Sequence, residues 1–297
     1  MQLSVGKHSG LWSRRRFLVA AGAVLPCAVL AGPRAEETGA APPEPRFRTI
    51  TYNAREGEGW GLRPEQQARL ACLRPQLPQR MALELALYAP DAVTLVEAPS
   101  EAAVAEMAEV LDMEYRYSHD ASPGALLTRC KIVEWDPSPE GKNAPYTKQQ
   151  RPKHCARAVI ETAIGRVTLY GVHYTARRAE RRIEELRTTL DIIAGDVASG
   201  GSFLLQGDLN HSQRTPEYAY WTDAGLEDAF RLKGAGIEHT LGTAQPTMRI
   251  DYVWLHGPIT ERLVECRVLF EGAFRTNPED PSSVALSDHL PLMATFG

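Results

Sequence analysis

Carboxylate, amide and imidazole side chains recur in this 297-residue chain where apolar segments end, and such groups can hold a cation and move protons. Five apolar segments carry or end in these groups, and a sixth string opens the final apolar segment of the chain. The six strings are Thr51-Tyr52-Asn53, Thr94-Leu95-Val96-Glu97, Leu169-Tyr170-Gly171-Val172-His173, Leu204-Leu205-Gln206-Gly207-Asp208-Leu209-Asn210, Arg249-Ile250-Asp251-Tyr252-Val253 and Ser287-Asp288-His289-Leu290-Pro291. Buried Asp and Glu are rarely left without a partner, so a rim built from them needs a cation or histidines to offset its charge. Oxygen donors without cysteine favour Mg²⁺, Mn²⁺ or Ca²⁺ over a thiolate-bound metal.

The segments that carry these groups have the length and composition of strands. We predict strands over residues 47–53, 92–97, 114–118, 125–130, 156–162, 166–173, 202–206, 249–255, 266–270 and 290–296. We predict helices over 65–73, 79–88, 101–111 and 177–198, the first two separated because Pro75 and Pro78 interrupt the apolar spacing. Many strands with a few helices between them predict an α/β fold: a two-sheet β-sandwich flanked by helices, with four layers in the order α/β/β/α.

Taken in order, the six strings resemble the motifs of the endonuclease/exonuclease/phosphatase superfamily, which comprises metal-dependent phosphodiesterases such as deoxyribonuclease-type nucleases, neutral sphingomyelinases and inositol-polyphosphate phosphatases. The resemblance runs from about Phe47 to Phe296. Two further strings are similar to family motifs, Gly124-Ala125-Leu126-Leu127-Thr128-Arg129 and Gly225-Leu226-Glu227-Asp228. One departure is Val96, where the family often has Gln, and we expect it to have little catalytic cost because Glu97 is kept.

The resemblance implies a metal site at three of these residues. Glu97 would be the principal ligand of Mg²⁺, with Mn²⁺ or Ca²⁺ as alternatives. Asn53 would help to place the ion or a phosphate oxygen, and Asp288 could bind the metal or its water.

Five other residues are expected to carry the chemistry, because attack on a phosphate ester needs an activated water and a stabilised phosphoryl oxygen. His289 would take the proton from water while Asp251 holds its ring in one tautomer. Asp208 and Asn210 would orient the nucleophile and the scissile phosphate, and His173 would donate a hydrogen bond or a proton as negative charge develops. These roles predict an enzyme, a phosphoric ester hydrolase.

Each of these residues also has a structural interpretation. Asn53 and Asn210 could cap turns, and an Asp–His pair is often a simple surface hydrogen bond. The remaining histidines considered, His119, His154, His239 and His256, lack comparable context and are predicted to be ordinary polar residues. Arg55, Trp60 and Tyr174 adjoin the strings and are candidates for substrate contact.

The N-terminus has the pattern of an export signal. Ser13-Arg14-Arg15-Arg16-Phe17-Leu18 precedes a short apolar stretch that ends near Ala31, and the string resembles the twin-arginine signal of bacteria. We therefore predict an export signal over 1–31, a linker over 32–45 rich in Ala, Pro, Gly and Glu, and a catalytic domain over 46–297. A protein with this signal would be periplasmic or secreted, and it would be exported by the twin-arginine machinery. We expect no stable membrane anchor, because Pro26 makes Cys27 a poor lipidation site.

Charge and cysteine content exclude some classes of protein. The whole chain carries 33 basic and 37 acidic residues, but residues 1–31 contain four of the basic ones and no acidic residue, which leaves a formal charge of −8 on the remainder. Such a charge disfavours extended non-specific binding to nucleic acid. The other cysteines, Cys72, Cys130, Cys155 and Cys266, have no zinc-site spacing, and both disulfides and free thiols stay open.

The substrate is less well specified than the reaction. Lys142, Lys148, Arg151 and Lys153 lie in the 136–154 segment, where a solvated loop is favoured over a phosphate-binding one. Three substrate classes stay open: a phosphorylated small molecule, a nucleic acid (for an extracellular or periplasmic nuclease), or a phospholipid headgroup (for a sphingomyelinase-like enzyme). A protein that only binds phosphorylated ligands is the non-enzymatic alternative, and the Asp251–His289 pair argues against it.

Overall fold

Two β-sheets packed face to face form the centre of residues 46–297, the part of the chain that the computed structural model describes. In chain order the strands are β1 (Phe47–Asn53), β2 (Ala92–Val96), β3 (Glu114–Ser118), β4 (Gly124–Thr128), β5 (Lys131–Asp136), β6 (His154–Thr162), β7 (Gly165–His173), β8 (Phe203–Asp208), β9 (Glu227–Asp228), β10 (Gly234–Ala235), β11 (Asp251–His256), β12 (Leu263–Val268) and β13 (Leu292–Phe296). One sheet has the order β10-β12-β13-β1-β2-β4-β3 and the other β5-β6-β7-β8-β11-β9. The predicted two-sheet sandwich is confirmed.

The space between the sheets is apolar and becomes polar at one place. Leu95 of the first sheet and Leu169 and Leu204 of the second belong to one buried cluster. Further along β8, Gln206 donates from Nε2 to Thr94 Oγ1 across the gap at 2.7 Å. Because buried amides need hydrogen-bond partners, this contact fixes how the two sheets sit on each other near the polar strand ends.

Helices cover the outer faces of both sheets. They are α1 (Pro64–Leu73), α2 (Leu77–Ala86), α3 (Glu101–Leu111), α4 (Ala179–Ser199), α5 (Pro216–Asp223) and α6 (Ala229–Lys233). Met81 of α2 and Met107 of α3 pack into the first cluster, while Leu186 and Ile193 of α4 pack with Trp254 in a second cluster. The sandwich with helices on both outer faces agrees with the predicted layer order.

Predicted and observed elements differ mainly at their ends. The predicted helix 79–88 is α2, which begins at Leu77 because a proline at the second helical position sacrifices no hydrogen bond of the first turn. The predicted strand 125–130 ends two residues early, since the backbone N–H of Cys130 donates to Thr128 Oγ1 in a turn. Strand β5 and helix α5 have no counterpart in the prediction, and Arg249, predicted in a strand, precedes β11.

Strand register brings the polar strand ends to one edge. Strands β1 and β2 are parallel, with Asn53 opposite Val96, and β7 and β8 are parallel, with His173 opposite Asp208. Strand β11 runs antiparallel to β8, so its first residue, Asp251, is the partner of Asp208. Parallel strands end at the same edge of a sheet, and an antiparallel neighbour begins there.

Two further predictions concern the N-terminal segments and the cysteines. The predicted export signal and linker, residues 1–45, lie outside the described residues. Within residues 46–297 no helix is long and apolar enough to span a bilayer, and the four cysteines there are all free thiols.

Candidate active site

A cluster of polar side chains lies where the strand ends of the two sheets meet. Asn53, at the end of β1 in the first sheet, donates from Nδ2 to Asp208 Oδ2, at the end of β8 in the second, over 3.1 Å. Residues Asn53, Glu97, His173, Asp208, Asp251 and His289, which we call the rim cluster, are all at this edge. The structure therefore brings together six of the eight predicted site residues, and Asn210 and Asp288 adjoin them.

Asp251 and His289 form a buried pair inside the rim cluster. His289 Nδ1 lies 2.9 Å from Asp251 Oδ2, and its Nε2 lies 3.8 Å from Asp208 Oδ2. Burial alone would lower the pKa of His289, but the carboxylates of Asp251 and Asp208 outweigh it and raise the pKa to about 10. Burial raises the pKa of Asp208, while the proximity of His289 acts against that rise. The titrations of Asp208 and His289 are therefore linked to each other.

One oxygen of the pair has no partner. Among the described residues, no group hydrogen-bonds to the buried Oδ1 of Asp251. An unpaired buried carboxylate oxygen is costly, and such an atom marks a place where a ligand, water or ion completes the structure.

His173 is fully buried on the other side of Asp208. Its Nδ1 lies 3.0 Å from Ser122 Oγ, and its Nε2 lies 3.5 Å from Glu97 Oε1 and 3.6 Å from Asp208 Oδ2. Burial holds the pKa of His173 well below its ordinary value, with Lys153 acting in the same direction. The ring is therefore neutral, and the tautomer with the hydrogen on Nε2 would direct that hydrogen toward the carboxylates of Glu97 and Asp208.

Two of the acidic or amide residues are held by unusual backbone conformations. Glu97 directly follows β2 with a φ of 45°, and Asn210 has a φ of 51°. The left-handed region is unfavourable for residues other than glycine by roughly 1–2 kcal/mol, and such strain is concentrated at functional sites. The carboxylate of Glu97 remains 29% exposed, so it can reach a ligand from solvent.

Asn53 and Asn210 serve as turn caps and as neighbours of Asp208 at the same time. Asn53 Oδ1 accepts a hydrogen bond from the backbone of Arg55, and Asn210 Nδ2 donates to Tyr174 O. Both Nδ2 groups also donate to Asp208 Oδ2, at 3.1 Å and 3.0 Å. The two amides therefore cap turns and, at the same time, orient the carboxylate of Asp208.

Asp288 stands slightly apart from the rim cluster. Its Oδ2 lies 4.0 Å from Arg55 Nη1, and the Arg55 guanidinium lies over the ring of Trp60, 4.9 Å from the centroid. A different set of possible ligand atoms, on Asp208, Asp251 and His289, lies within 4.8 Å of one another. The predicted set of Glu97, Asn53 and Asp288 stays a prediction beside this second possibility.

The structure corrects the expectations for two neighbours of His173. Tyr174 is fully buried and stacks on Trp221, with ring centroids 6.3 Å apart, so the expectation that it contacts substrate was wrong. His154, predicted to be an ordinary polar residue, is buried with Nδ1 2.8 Å from Asp120 Oδ2, and it pairs with His173 across β6 and β7. Lys153 lies next to it, with Nζ 3.4 Å from His173 Nε2.

Sequence reasoning missed Ser122, His154 and Lys153 as neighbours of the site, although a signal was present. Strands β6 and β7 are joined by the short turn around Ile164, so they form a hairpin whose register is fixed by that turn. Counting back from the turn places residues 153 and 154 beside His173.

Comparison with known proteins agrees with this architecture. A mannosyl-6-phosphatase from Bacteroides thetaiotaomicron shares the fold with a TM-score of 0.67 at 17% identity, over 84% of this chain and 98% of that chain. TDP2 from D. rerio, in a complex with a single-strand DNA product, gives a TM-score of 0.61 at 17% identity, over 85% and 99%. A further family protein from Bacteroides thetaiotaomicron gives 0.66 at 16% identity, over 84% and 97%. No curated protein matches the sequence.

The sequence pattern of one family matches most of the chain. The Endonuclease/Exonuclease/phosphatase family matches residues 50–289, which include all six strings as far as His289. Members of this family act as phosphoesterases and generally depend on a divalent metal, so the prediction of a hydrolase is supported at that level. The chain belongs to the Endonuclease/Exonuclease/phosphatase family.

Proposed function

We propose that this chain is a metal-dependent hydrolase that cleaves a phosphodiester or phosphomonoester bond with an activated water. The observation that carries the proposal is the buried hydrogen bond between Asp251 and His289, with the outer nitrogen of the imidazole beside Asp208. A protein that only bound phosphorylated ligands would have no need of an imidazole held in one tautomer.

The chemistry of the donors fits a divalent cation of the hard class. Glu97, Asn53 and Asp288 offer carboxylate and amide oxygens, and the unpartnered Oδ1 of Asp251 leaves a buried acceptor at this edge for an ion or its water. We propose that these three residues hold Mg²⁺, with Mn²⁺ or Ca²⁺ as alternatives. When bound, the cation polarises a phosphoryl oxygen and offsets the carboxylate charge that keeps His289 protonated.

The remaining residues orient the substrate and move the proton. His289 Nε2 accepts a proton from the attacking water, while Asp251 Oδ2 accepts the hydrogen of Nδ1 and holds the ring. Asp208, oriented by Asn53 and Asn210, positions that water against the phosphorus atom. His173 donates a hydrogen bond from Nε2 to a phosphoryl oxygen, which strengthens as negative charge develops there.

For the substrate we propose a phosphorylated small molecule before a nucleic acid or a phospholipid headgroup. The acidic charge of the residues after 31 supports this order, because a long polyanion meets more of that charge than a small ester does. Similar structures include a mannosyl-6-phosphatase and a TDP2 bound to single-strand DNA, so both phosphosugars and DNA belong in the substrate panel.

The test is a substrate screen of residues 32–297 with Mg²⁺ and with EDTA. The panel is p-nitrophenyl phosphate, bis-p-nitrophenyl phosphate, mannose 6-phosphate, plasmid DNA, RNA and sphingomyelin. We expect turnover that EDTA abolishes, and a loss of at least about 100-fold in the variant His289→Ala. The matched control is His119→Ala, since the imidazole of His119 is 74% exposed and its Nε2 lies 3.3 Å from Glu101 Oε2, outside the rim cluster. Activity that survives EDTA, or a His289→Ala variant with normal turnover, would contradict the mechanism.

We also propose that residues 1–31 export the folded domain through the twin-arginine route to the periplasm or medium. The Ser13-Arg14-Arg15-Arg16-Phe17-Leu18 string supports this. Cell fractionation should find the wild-type protein outside the cytoplasm and the double variant Arg14→Lys, Arg15→Lys inside it. Equal export of the wild type and the double variant would contradict the proposal.

A further inference from the structure

Lys153 places its charged end at the candidate active site. Its Nζ lies 3.4 Å from His173 Nε2, the nitrogen that also faces Glu97 Oε1 at 3.5 Å and Asp208 Oδ2 at 3.6 Å. Two carboxylates and one ammonium thus converge on a single imidazole nitrogen at the edge of the sandwich.

The backbone of Lys153 is fixed by its surroundings. Its carbonyl accepts a hydrogen bond from the N–H of Ser122, whose Oγ lies 3.0 Å from His173 Nδ1. The next residue, His154, is buried and bonded to Asp120, and its ring fills the space beside Gly124, where an added Cβ would collide with Nε2. The segment that precedes β6 therefore presents Lys153 to the site in a defined position, unlike a solvated loop.

The charge of Lys153 is not neutralised within the protein. Across residues 46–297, no carboxylate oxygen lies within 4.0 Å of its Nζ, whereas the nearby Arg151 is paired with Glu140. The neighbour that Nζ does contact is an imidazole nitrogen of His173, which is not a carboxylate. With its hydrogen on Nε2, His173 offers no acceptor to the ammonium 3.4 Å away, so Lys153 gives up no hydrogen bond when it turns to an anion.

We propose that Lys153 binds a non-bridging oxygen of the substrate phosphate, beside the oxygen that His173 contacts, and that it favours terminal phosphate monoesters over diesters. This rests on the proposed function. A monoester at neutral pH carries about two negative charges and a diester one, so an ammonium at this distance attracts the monoester more strongly. Lys153 is thereby a specificity-determining residue of the phosphate site.

A structural role for Lys153 has a different signature. If its charge only offset Glu97 and Asp208, removing it would destabilise the fold and would lower the turnover of every substrate alike. If only the bulk charge of the 136–154 segment mattered, the exposed Lys148 in the same segment would serve equally well.

The experiment compares wild type, Lys153→Met, Lys153→Arg and the control Lys148→Met. We expect Lys153→Met to weaken binding of inorganic phosphate, measured by calorimetry with Mg²⁺ present, by about 10- to 100-fold. The kcat/KM for p-nitrophenyl phosphate should fall by about tenfold more than that for bis-p-nitrophenyl phosphate. Lys153→Arg should restore part of both, Lys148→Met should match wild type, and the melting temperatures should agree.

Each other outcome has a definite meaning. Wild-type protein that binds no phosphate, an unchanged phosphate affinity in Lys153→Met, an equal loss for both esters, or an equal effect of Lys148→Met would overturn the inference. If phosphate binding depends on Lys153 while the wild type hydrolyses nothing, the phosphate site stands and the proposed hydrolase fails.

Discussion

Two groups of charged residues lie beside strands β8 and β11 of the second sheet, and they differ in how their charges are paired. In the rim cluster, Asp208 and Asp251 share the single cation of His289, and one Asp251 oxygen has no partner among the described residues. In what we call the interior cluster (His211, Tyr218, Asp228 and Arg249), the Arg249 guanidinium donates from Nη1 to Asp228 Oδ1 at 2.8 Å and from Nη2 to Oδ2 at 2.6 Å. One positive charge meets one negative charge there in a two-point contact.

The difference separates structural charge from functional charge. The carboxylate of Asp228 also accepts hydrogen bonds from Tyr218 Oη and from the backbone N–H of Phe230, so both its oxygens are occupied within the protein. A carboxylate that is neutralised and fully hydrogen-bonded contributes to a single folded structure and leaves no free acceptor for a ligand. The rim cluster keeps an excess of negative charge, which a cation is needed to offset.

The largest expected effect is on catalysis, in the variant Asp251→Asn. The amide oxygen can still accept the hydrogen of His289 Nδ1, so the pair keeps its hydrogen bond and loses only the negative charge that supports the protonated ring. We expect kcat to fall by about 100- to 10,000-fold. The free energy of unfolding should fall less than it would on breaking the ion pair of the interior cluster, because Asp208 remains beside the ring and its repulsion by Asp251 is removed. Steady-state kinetics and urea unfolding on the same preparation measure both. A variant that unfolds easily but turns over normally would reverse the assignment of the two clusters.

The same substitution in the interior cluster should act on stability. In Asp228→Asn, one amide N–H₂ faces donors of Arg249 or Tyr218, and the buried guanidinium loses its counter-charge. We expect a loss of about 3–5 kcal/mol in the free energy of unfolding. The kcat of the folded fraction should stay near that of wild type, and equal losses of stability in Asp228→Asn and Asp251→Asn would contradict the comparison.

The sequence was sufficient for the rim cluster because its members stand at strand ends. Apolar runs that end in Asn53, Glu97 or Asp208 mark where buried strands meet solvent, and parallel pairing gathers such ends at one edge. The hydrogen bond from Asn53 to Asp208 joins two sheets and residues 155 positions apart. No local pattern specifies that contact, which depends on how the sheets pack.

The errors beside the site have equally specific causes. Side chains alternate between the two faces of a strand, so Tyr174 points away from the face that His173 occupies and into the second cluster. Alternation alone would have excluded it from substrate contact. The predicted strand 249–255 includes Arg249, whereas β11 begins at Asp251 and Arg249, just before it, forms an ion pair with Asp228.

The two clusters should also differ in how pH changes stability. His211 is buried with Nδ1 near Ser212 O, and its Nε2 accepts a hydrogen bond from Trp221 Nε1, so the neutral ring is complete. Burial lowers the pKa of His211 to about 4. Because the folded pKa lies below the unfolded value, the stabilisation is fully present above about pH 6.5 and is lost as pH falls toward 4.

The measurement is urea unfolding at about pH 7.5 and pH 5.0 for wild type and for His211→Gln. We expect the wild type to lose roughly 2 kcal/mol more than the variant over this interval, because only the wild type must keep that imidazole uncharged. In the rim cluster the sign is opposite: the pKa of His289 is raised to about 10, so its contribution is lost as pH rises toward 10. Identical pH slopes in wild type and His211→Gln would refute the assignment of a neutral His211.

The smallest expected effect is the most informative about the cation. A ligand that binds only the folded state stabilises it by about 1.4 kcal/mol at 10 times its dissociation constant, so Mg²⁺ at that concentration should raise the melting temperature of wild type and of Asp228→Asn alike. Glu97→Gln should abolish that rise if the ion lies at the predicted ligands, whereas Asp251→Asn should keep it. The opposite pattern would place the ion among Asp208, Asp251 and His289, whose ligand atoms lie within 4.8 Å of one another. In that case His289 would be a metal ligand, and a nitrogen bound to a cation cannot accept a proton from water.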